Sequence, residues 1–430
     1  MLIEFSVGNF KSIKDVETLS LHASNLTSKY PHLEINNIFN KREDLVLLKS
    51  KAIYGANASG KSNVYKALES FKNIVEDSVG NDKILNKNIS PFKLCDSTIK
   101  EPTFFQVQFL IENIIYRYGF VADKKRVQSE WLFKKAERET FLFTREGDKT
   151  EINNKQFSEG NILTQIFKNS EDTPIKTSYL FLTFIAKVLN GKISSALFNY
   201  ITTKITLVSG LDSDLNKKNA ELFIENKKQK EILVNLVKAA DMGIDDIGYI
   251  ELDKNKSVNE VDPKNSEKEK LVYALKKKYD GNNNEKGFQA MGFDFEESKG
   301  TQKMFELAPY IINCLNDGGL LFIDEFDSRF HSLLTKKIIE LFNSKSNHKG
   351  QLIFITHDTN LLSSKLLRRD QISFASRDKY GVSHFYSLAE FKGVRSSSSY
   401  ENDYIHGKYG AIPSLNDFEE FFVEENGKEN

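Results

Sequence analysis

Residues Gly55-Ala56-Asn57-Ala58-Ser59-Gly60-Lys61-Ser62 constrain this chain more than any other stretch, because they form a complete G-x-x-x-x-G-K-[ST] phosphate loop. Glycines let the backbone wrap so that successive N–H groups aim at anionic oxygens. The context agrees with that reading. Ala52-Ile53-Tyr54 ends an apolar stretch that enters the loop as a strand, and Val64, Leu68, Phe71 and Val75 recur at the spacing of one helix face. The helix N-terminus adds its dipole to the phosphate site. Lys61 is expected to reach the β- and γ-phosphates, and the Ser62 hydroxyl to ligate magnesium. The fold expected around such a loop is α/β.

A chain of 430 residues can hold two or three lobes, each with its own core. Lysine plus arginine equals aspartate plus glutamate at 60 each, so no global field argues for nucleic acid or a membrane surface. Two cysteines, Cys95 and Cys314, exclude a disulfide framework and fit a reducing cytoplasm. Residues 1–10 alternate like a strand rather than forming a signal peptide, and the apolar stretch Tyr179–Leu189 is too short to span a membrane. A cytoplasmic protein without membrane partners is expected.

Patterning divides the chain into five parts. Residues 1–90 carry an opening strand pair, the phosphate loop and its helix. Residues 91–150 hold short aromatic and β-branched runs (Thr103–Ile111, Ile114–Val121, Trp131–Phe133, Thr140–Thr144) that read as an antiparallel lobe. Helical spacing dominates 151–250, which reads as an insertion. Residues 251–395 begin charged and Asn-rich, with a strand at Leu271–Ala274, and become an α/β core from Phe288. A polar tail, 396–430, closes the chain, with Ser396–Ser399 its most flexible-looking stretch. Lys276-Lys277-Lys278 reads as a solvated face, and Arg368-Arg369-Asp370 as a surface ion pair at a helix end.

Three further segments point back to the phosphate loop. Leu320-Leu321-Phe322-Ile323-Asp324-Glu325 is a buried-strand run ending in two carboxylates. Asp324 is placed to hold magnesium, and Glu325 to orient or deprotonate the attacking water. Glu297-Ser298-Lys299-Gly300-Thr301 precedes a helix with Met304, Leu307, Ala308, Ile311 and Leu315 on one face, so Ser298 and Gly300 form a second helix-capping, anion-binding turn. Gln351–Thr356 is a strand that delivers His357 to its end, where an imidazole can sense a γ-phosphate.

Phosphate loop, Ser-x-Gly helix cap, Asp-Glu strand and strand-end His, in that order, resemble the ABC-type ATPase heads of SMC, RecF and overcoming-lysogenization-defect proteins. Asn9-Phe10-Lys11-Ser12, Tyr116-Arg117-Tyr118-Gly119-Phe120, Glu297–Thr301, Arg368–Ile372 and Gly407-Lys408-Tyr409-Gly410-Ala411-Ile412-Pro413 look like a bacterial AAA-family group of such ATPases found in abortive-infection and other anti-phage systems. The likeness spans nearly the whole chain and is weakest in the helical middle. It implies a P-loop NTPase of ABC-ATPase type, with a mixed-sheet core, an antiparallel lobe and a helical insertion. It implies ATP and magnesium as ligands, Glu325 as catalytic base, His357 as switch histidine, and Asp327 in the loop that communicates across a dimer. Ser298 and Gly300 correspond to the signature that touches the γ-phosphate held by a second copy. Glu297 here replaces the usual Leu of that signature, and Thr301-Gln302 follow Gly300. Gln106 and Gln108 are candidates for the glutamine loop.

The function expected from this resemblance is an ATP-hydrolysing switch that forms a homodimer or higher homo-oligomer through ATP. Its chain stops soon after the core strands, without an appended nuclease domain, so a separately encoded effector nuclease is the expected partner, with DNA or a phage protein as trigger. The rival reading is a RecF- or SMC-like DNA repair or maintenance ATPase, which calls for a basic groove and DNA-stimulated hydrolysis. An ABC transporter subunit is disfavoured by the inserted middle region. A scaffold that binds ATP without turnover is disfavoured by Glu325, and GTP by the lack of an Asn-Lys-x-Asp motif.

Overall fold

A computed structural model describes residues 1–26, 28–161, 175–210, 217–240, 242–253, 268–394 and 398–413. Strands β1 (Leu2–Gly8) and β2 (Glu17–Ser20) open the chain, and β3 (Ile38–Arg42) with β4 (Leu45–Leu48) forms a hairpin. Strand β5 (Ser50–Gly55) then runs into helix α1 (Lys61–Asp77). A meander follows, made of β6 (Thr103–Ile111), β7 (Ile114–Ala122), β8 (Val127–Lys135), β9 (Glu139–Glu146) and β10 (Lys149–Ile152). Helices α2 (Phe181–Val188) and α3 (Lys192–Asn199) lead to β11 (Ile205–Ser209). Helices α4 (Lys217–Glu225) and α5 (Lys227–Ala239) precede β12 (Asp246–Asp253), β13 (Lys268–Tyr279) and β14 (Glu285–Gly292). Last come α6 (Lys299–Asp317), β15 (Gly319–Asp324), α7 (Ser332–Phe342), β16 (Gly350–Ile355), β17 (Ile372–Arg377) and β18 (Ser383–Ser387).

The central sheet has the order β11-β15-β16-β5-β17-β18, parallel throughout except for the edge strand β18. Its inner strands are buried on both faces, which is why they read as unbroken apolar runs rather than alternating ones. Ile53, Leu320, Phe322, Ile353 and Ile355 pack one face against α1 and the antiparallel lobe. Ala52, Tyr54, Leu321, Ile323, Leu352 and Phe354 pack the other against α4, α5, α6 and α7. The predicted α1 face (Val64, Leu68, Phe71, Val75) is wholly buried in the first of these cores.

The second sheet, β10-β9-β8-β7-β6-β1-β2, is antiparallel, and its far edge is supplied by the first two strands of the chain. Gln351, at the start of β16, bolts the two sheets together: its Oε1 accepts from Leu2 N at 2.7 Å and its Nε2 donates to Leu2 O at 2.9 Å. A small sheet, β12-β13-β14, packs Ile247, Val272 and Ala274 against α4 and α5. Lys276 and Lys277 there are engaged by Glu297 and Glu285 at 2.8 and 2.9 Å. No single helix among the described residues is long and apolar enough to cross a membrane.

The structure differs from the sequence reading in three places. The stretch read as a helical insertion, 151–250, contributes β11 to the central sheet, in register Ile205↔Leu320 to Ser209↔Asp324, and also contains the start of β12. Five residues between helices are too few for strand alternation to stand out. The stretch read as a polar tail, 396–430, instead docks residues Tyr400, Tyr404, Tyr409 and Ala411, all buried. Tyr404 and Tyr409 stack on Phe374 with centroids 5.5 and 5.1 Å apart, and Tyr404 also meets Tyr54 at the end of β5. Aromatics at wide spacing carry no helical or strand period, so the sequence pattern hid them. Ser396 and Ser397 and the tail from 414 onward lie outside the described residues. Arg368, finally, is buried rather than on the surface: it pairs with Asp370 at 2.8 Å and with Glu34, and donates to Ser24 O at 2.9 Å.

Glu130 of β8 closes the gap between the lobe and α2. Fully buried, its carboxylate accepts from Phe181 N at 2.6 Å, Leu182 N at 3.0 Å and the Tyr118 hydroxyl at 3.0 Å, capping α2 from another element. Replacing Glu130 by Ala strands those donors, and the expected loss is about 3 kcal/mol in urea unfolding; Glu130→Gln, which keeps an acceptor oxygen, is expected to lose less than half of that.

Candidate nucleotide-binding site

The phosphate loop leaves β5 at Gly55, where an added Cβ would lie 2.3 Å from the Ala375 carbonyl of β17. Ala58 and Gly60 take left-handed φ values of 62° and 99°. A Cβ on Gly60 would meet Ser383 Oγ at 2.0 Å and Ser12 Oγ at 2.7 Å, so only glycine fits. Those serines mould the loop from outside. Ser383 Oγ donates to Ser59 O at 2.7 Å and lies 2.6 Å from Ser12 Oγ, which also accepts from Asn63 Nδ2 at 2.5 Å. Both sheets therefore grip the loop, the lobe through the β1–β2 turn and the core through the β17–β18 hairpin.

Lys61, buried at the start of α1, donates through Nζ to the Gly55 and Ala56 carbonyls, each at 2.8 Å. Burial pushes its pKa down to about 8, against the opposing pull of Glu325, Asp324 and Asp327. It is a cation held among neutral dipoles with three carboxylates nearby, ready for an anion.

Parallel pairing brings the carboxyl ends of β15 and β16 to the same edge. Asp324 ends β15, buried, with Ser62 beside its carboxylate and the Glu325 N–H donating to its Oδ1 at 3.1 Å. Burial holds its pKa above the usual carboxylate value, a penalty on the ionised form that a nearby cation relieves. A hydroxyl and a carboxylate are hard oxygen donors, so the pair fits magnesium. Among the described residues no group of three or more His, Cys, Asp and Glu is arranged to hold a metal by itself, so Ser62 and Asp324 complete a cation's shell only with phosphate and water.

Glu325 has left-handed backbone, φ 54°, and its side chain faces the loop. His357 lies beyond the end of β16; its N–H donates to Asp327 Oδ1 at 3.2 Å. The pocket desolvates the imidazole and the Lys61 ammonium opposes its proton, so its pKa sits below the ordinary value and the ring is neutral at pH 7. Residues 57–63, Glu325, His357, Ser12 and Arg377 enclose a cavity of about 330 Å³. A second cavity of about 380 Å³, bounded by Lys11, Phe92 and Lys93, adjoins it through Ser12 and Arg377.

The turn at Ser298 lies elsewhere. Ser298 caps α6, its Oγ accepting from Thr301 N at 3.1 Å and meeting Thr301 Oγ1 at 2.8 Å. It is exposed and does not line the phosphate pocket, while Gly300 faces a separate cavity of about 490 Å³ beside Arg329, Phe330 and Leu333. The fold thus gathers Gly55–Ser62, Asp324, Glu325, Asp327 and His357, and leaves Ser298 and Gly300 out. Gln106 and Gln108 do not reach the pocket: Gln106 accepts from Trp131 Nε1 at 3.2 Å and Gln108 donates to Glu4 at 2.8 Å, both within the lobe. Sequence reasoning missed Ser12, Ser383 and Arg377 as site residues. The Asn9–Ser12 phrase was the one available signal, since serines in turns are otherwise unremarkable.

Lys61 sets a pH dependence. Below pH 8 its ammonium is already charged, so triphosphate binding needs no added proton. Above pH 8 the empty protein must take one up, and affinity is expected to fall by up to about tenfold per unit from pH 8 to 9. Calorimetry in buffers of different ionisation enthalpy at pH 7 and pH 9 measures both the affinity and the proton uptake.

Three solved structures are among those to which the chain is similar. The SMC head domain from Thermotoga maritima matches at 12% identity, covering 90% of this chain and 98% of that one, with a TM-score of 0.40. An SMC head bound to the C-winged helix domain of ScpA matches at 13%, 90% and 97%, TM-score 0.42. The Smc head with an extended coiled coil bound to the C-terminal domain of ScpA, from Pyrococcus furiosus, matches at 15%, 90% and 96%, TM-score 0.38. No curated protein matches the chain. A family model described as "AAA domain, putative AbiEii toxin, Type IV TA system" matches residues 52–363, from the strand before the phosphate loop to beyond His357. The chain belongs to that AAA-domain family.

Proposed function

We propose that this protein is an ATP-hydrolysing conformational switch whose site is completed by a second copy of the chain. One observation carries the reading. Residues 57–63, Glu325 and His357 line the phosphate pocket with Asp324 behind Ser62, but the Ser298 helix cap is exposed outside it and Gly300 faces a different cavity of the same chain. A helix N-terminus with an exposed serine cap has unspent capacity for an anion. The γ-phosphate on a partner's loop is the anion that such a turn suits.

In this reading Lys61 and the loop N–H groups hold the phosphates, and Ser62 with Asp324 holds magnesium, which neutralises charge on the transferred phosphoryl group. Glu325 accepts the proton of the attacking water, and neutral His357 donates a hydrogen bond to the γ-phosphate oxygens. Because a γ-phosphate is bound between two copies only before hydrolysis, it supplies the differential contact that a ligand-driven switch requires. The family description, which couples the domain to a toxin–antitoxin setting, supports a partner protein, here a separately encoded effector nuclease in a cytoplasmic abortive-infection system. DNA or a phage protein is the proposed trigger.

Three substitutions test the switch. Lys61→Ala is expected to abolish ATP binding. Glu325→Gln is expected to bind ATP normally, lose roughly 10²–10³-fold in turnover, and accumulate an ATP-dependent dimer in light scattering. Ser298→Arg should keep ATP binding by the single chain but remove that dimer; a Ser298→Arg chain that still dimerises and hydrolyses at the wild-type rate rules out the shared site. Affinity capture with and without ATP, followed by mass spectrometry, tests the effector: a partner encoded beside this gene should co-purify, and full biological activity from this chain alone would exclude one.

A further inference from the structure

Lys303 is a buried cation on α6, one turn beyond the Ser298–Gly300 cap, and it takes no part in binding as described so far. Among the described residues its Nζ does not pair with a carboxylate oxygen. It donates instead to the main-chain carbonyl of Ser328 at 2.5 Å, and lies 3.4 and 3.5 Å from the carbonyls of Phe326 and Glu325. It also sits over the Phe330 ring, 4.5 Å from the centroid. A single ammonium thus gathers the loop 325–330, which runs from the proposed base through Asp327 to α7.

That loop needs holding. Glu325 and Arg329 both have left-handed backbone, at φ 54° and 65°, a conformation that costs a non-glycine residue of order 1 kcal/mol or more each. Converging carbonyl dipoles repel one another unless a cation sits among them, and burial strengthens that cation's hold. Two close approaches lock the same loop from other sides. A Cβ on Gly210, just past β11, would lie 2.1 Å from the Glu325 carbonyl, and one on Gly300 would lie 2.9 Å from the Arg329 carbonyl. Gly210 N also donates to Asp324 O at 2.7 Å. The loop is therefore wedged between α6 and the edge of the central sheet, with Lys303 as its electrostatic pin.

We infer that Lys303 is a positioning residue that joins the Ser298–Gly300 turn and the Glu325 loop into one rigid unit, so that engagement of the turn by a second copy sets the geometry of the base. The inference deepens the proposed function and rests on its assignment of Glu325 and of the turn. Lys303 is not among the residues lining the phosphate pocket; it acts through the backbone that aims Glu325. A general base displaced by about 1 Å loses roughly 10–100-fold in rate while substrate binding is untouched.

Lys303→Gln and Lys303→Arg, each as the full chain, test it by steady-state ATP hydrolysis. Lys303→Gln is expected to lower kcat about 10–100-fold with KM within a factor of two of wild type, and Lys303→Arg, which keeps the cation, to recover most of that loss. In a Glu325→Gln background, Lys303→Gln is expected to lower the residual rate by less than twofold, because a residue that works through the base has nothing left to position. A loss confined to KM, no recovery with Arg, or multiplicative effects in the double variant overturns the inference. Hydrogen exchange of the 324–331 segment without nucleotide separates this from the ATPase reading. Faster exchange there in Lys303→Gln, with β15 still protected, supports the pin even if the wild-type chain fails to hydrolyse ATP, and unchanged exchange overturns it. Should Lys303→Gln fail to fold, Gly210→Ala, which presses on the same carbonyl, is expected to give the same kcat-only loss, and a wild-type rate there overturns the inference.

Discussion

Parallel pairing of β5, β16 and β15 is the constraint on which the rest of this molecule depends. Parallel strands present all their carboxyl ends at one edge of the sheet, so the loops that follow them meet there whatever their separation in sequence. Gly55 and Asp324 are far apart along the chain but only two strand spacings apart in the sheet, about 10 Å. The register of β16 with β5, Ile353↔Lys51 and Ile355↔Ile53, carries His357 to the same edge. Every proposed chemical role rests on that alignment, and the alignment rests on apolar residues that fill both faces of the sheet.

The edge is then shaped by contacts from outside the sheet. Serines on two hairpins grip the phosphate loop, and a glycine lies where they converge. Lys61 and Lys303 make a pair with a shared logic. Each is a buried ammonium that satisfies itself on main-chain carbonyls, and burial pushes the pKa of each down to about 8. Their surroundings differ. Lys61 opens into a cavity where phosphate can displace its carbonyl partners, whereas Lys303 is buried against the Phe330 ring. The first is a ligand site in waiting, the second a pin in the framework.

Much of this was readable in advance. Gly55–Ser62, the run into Asp324-Glu325 and the strand before His357 carry local signals, since a doubly buried strand needs a continuous apolar run and a phosphate loop needs its glycines. The α1 face was legible for the same reason. Ser12 and Ser383 were not, because a serine that hydrogen-bonds a loop hundreds of residues away looks like any turn serine. Lys303 was not, because a lysine in a helix is ordinarily solvated. Strand β11 was hidden by its brevity, and the Tyr404–Tyr409 stack on Phe374 by the lack of any period in its aromatics.

The sequence by itself determined the chemistry on offer: a phosphate loop, two strand-end carboxylates, a histidine and a capped helix, each written in a few consecutive residues because local backbone geometry demands it. Only the tertiary structure decided which of these share a pocket. It gathered the loop, Asp324, Glu325 and His357, left Ser298 exposed outside that pocket with Gly300 facing another cavity, and set a buried lysine among the carbonyls between them. Long-range pairing and the burial of single polar side chains make those choices, and neither leaves a mark on neighbouring residues in the chain.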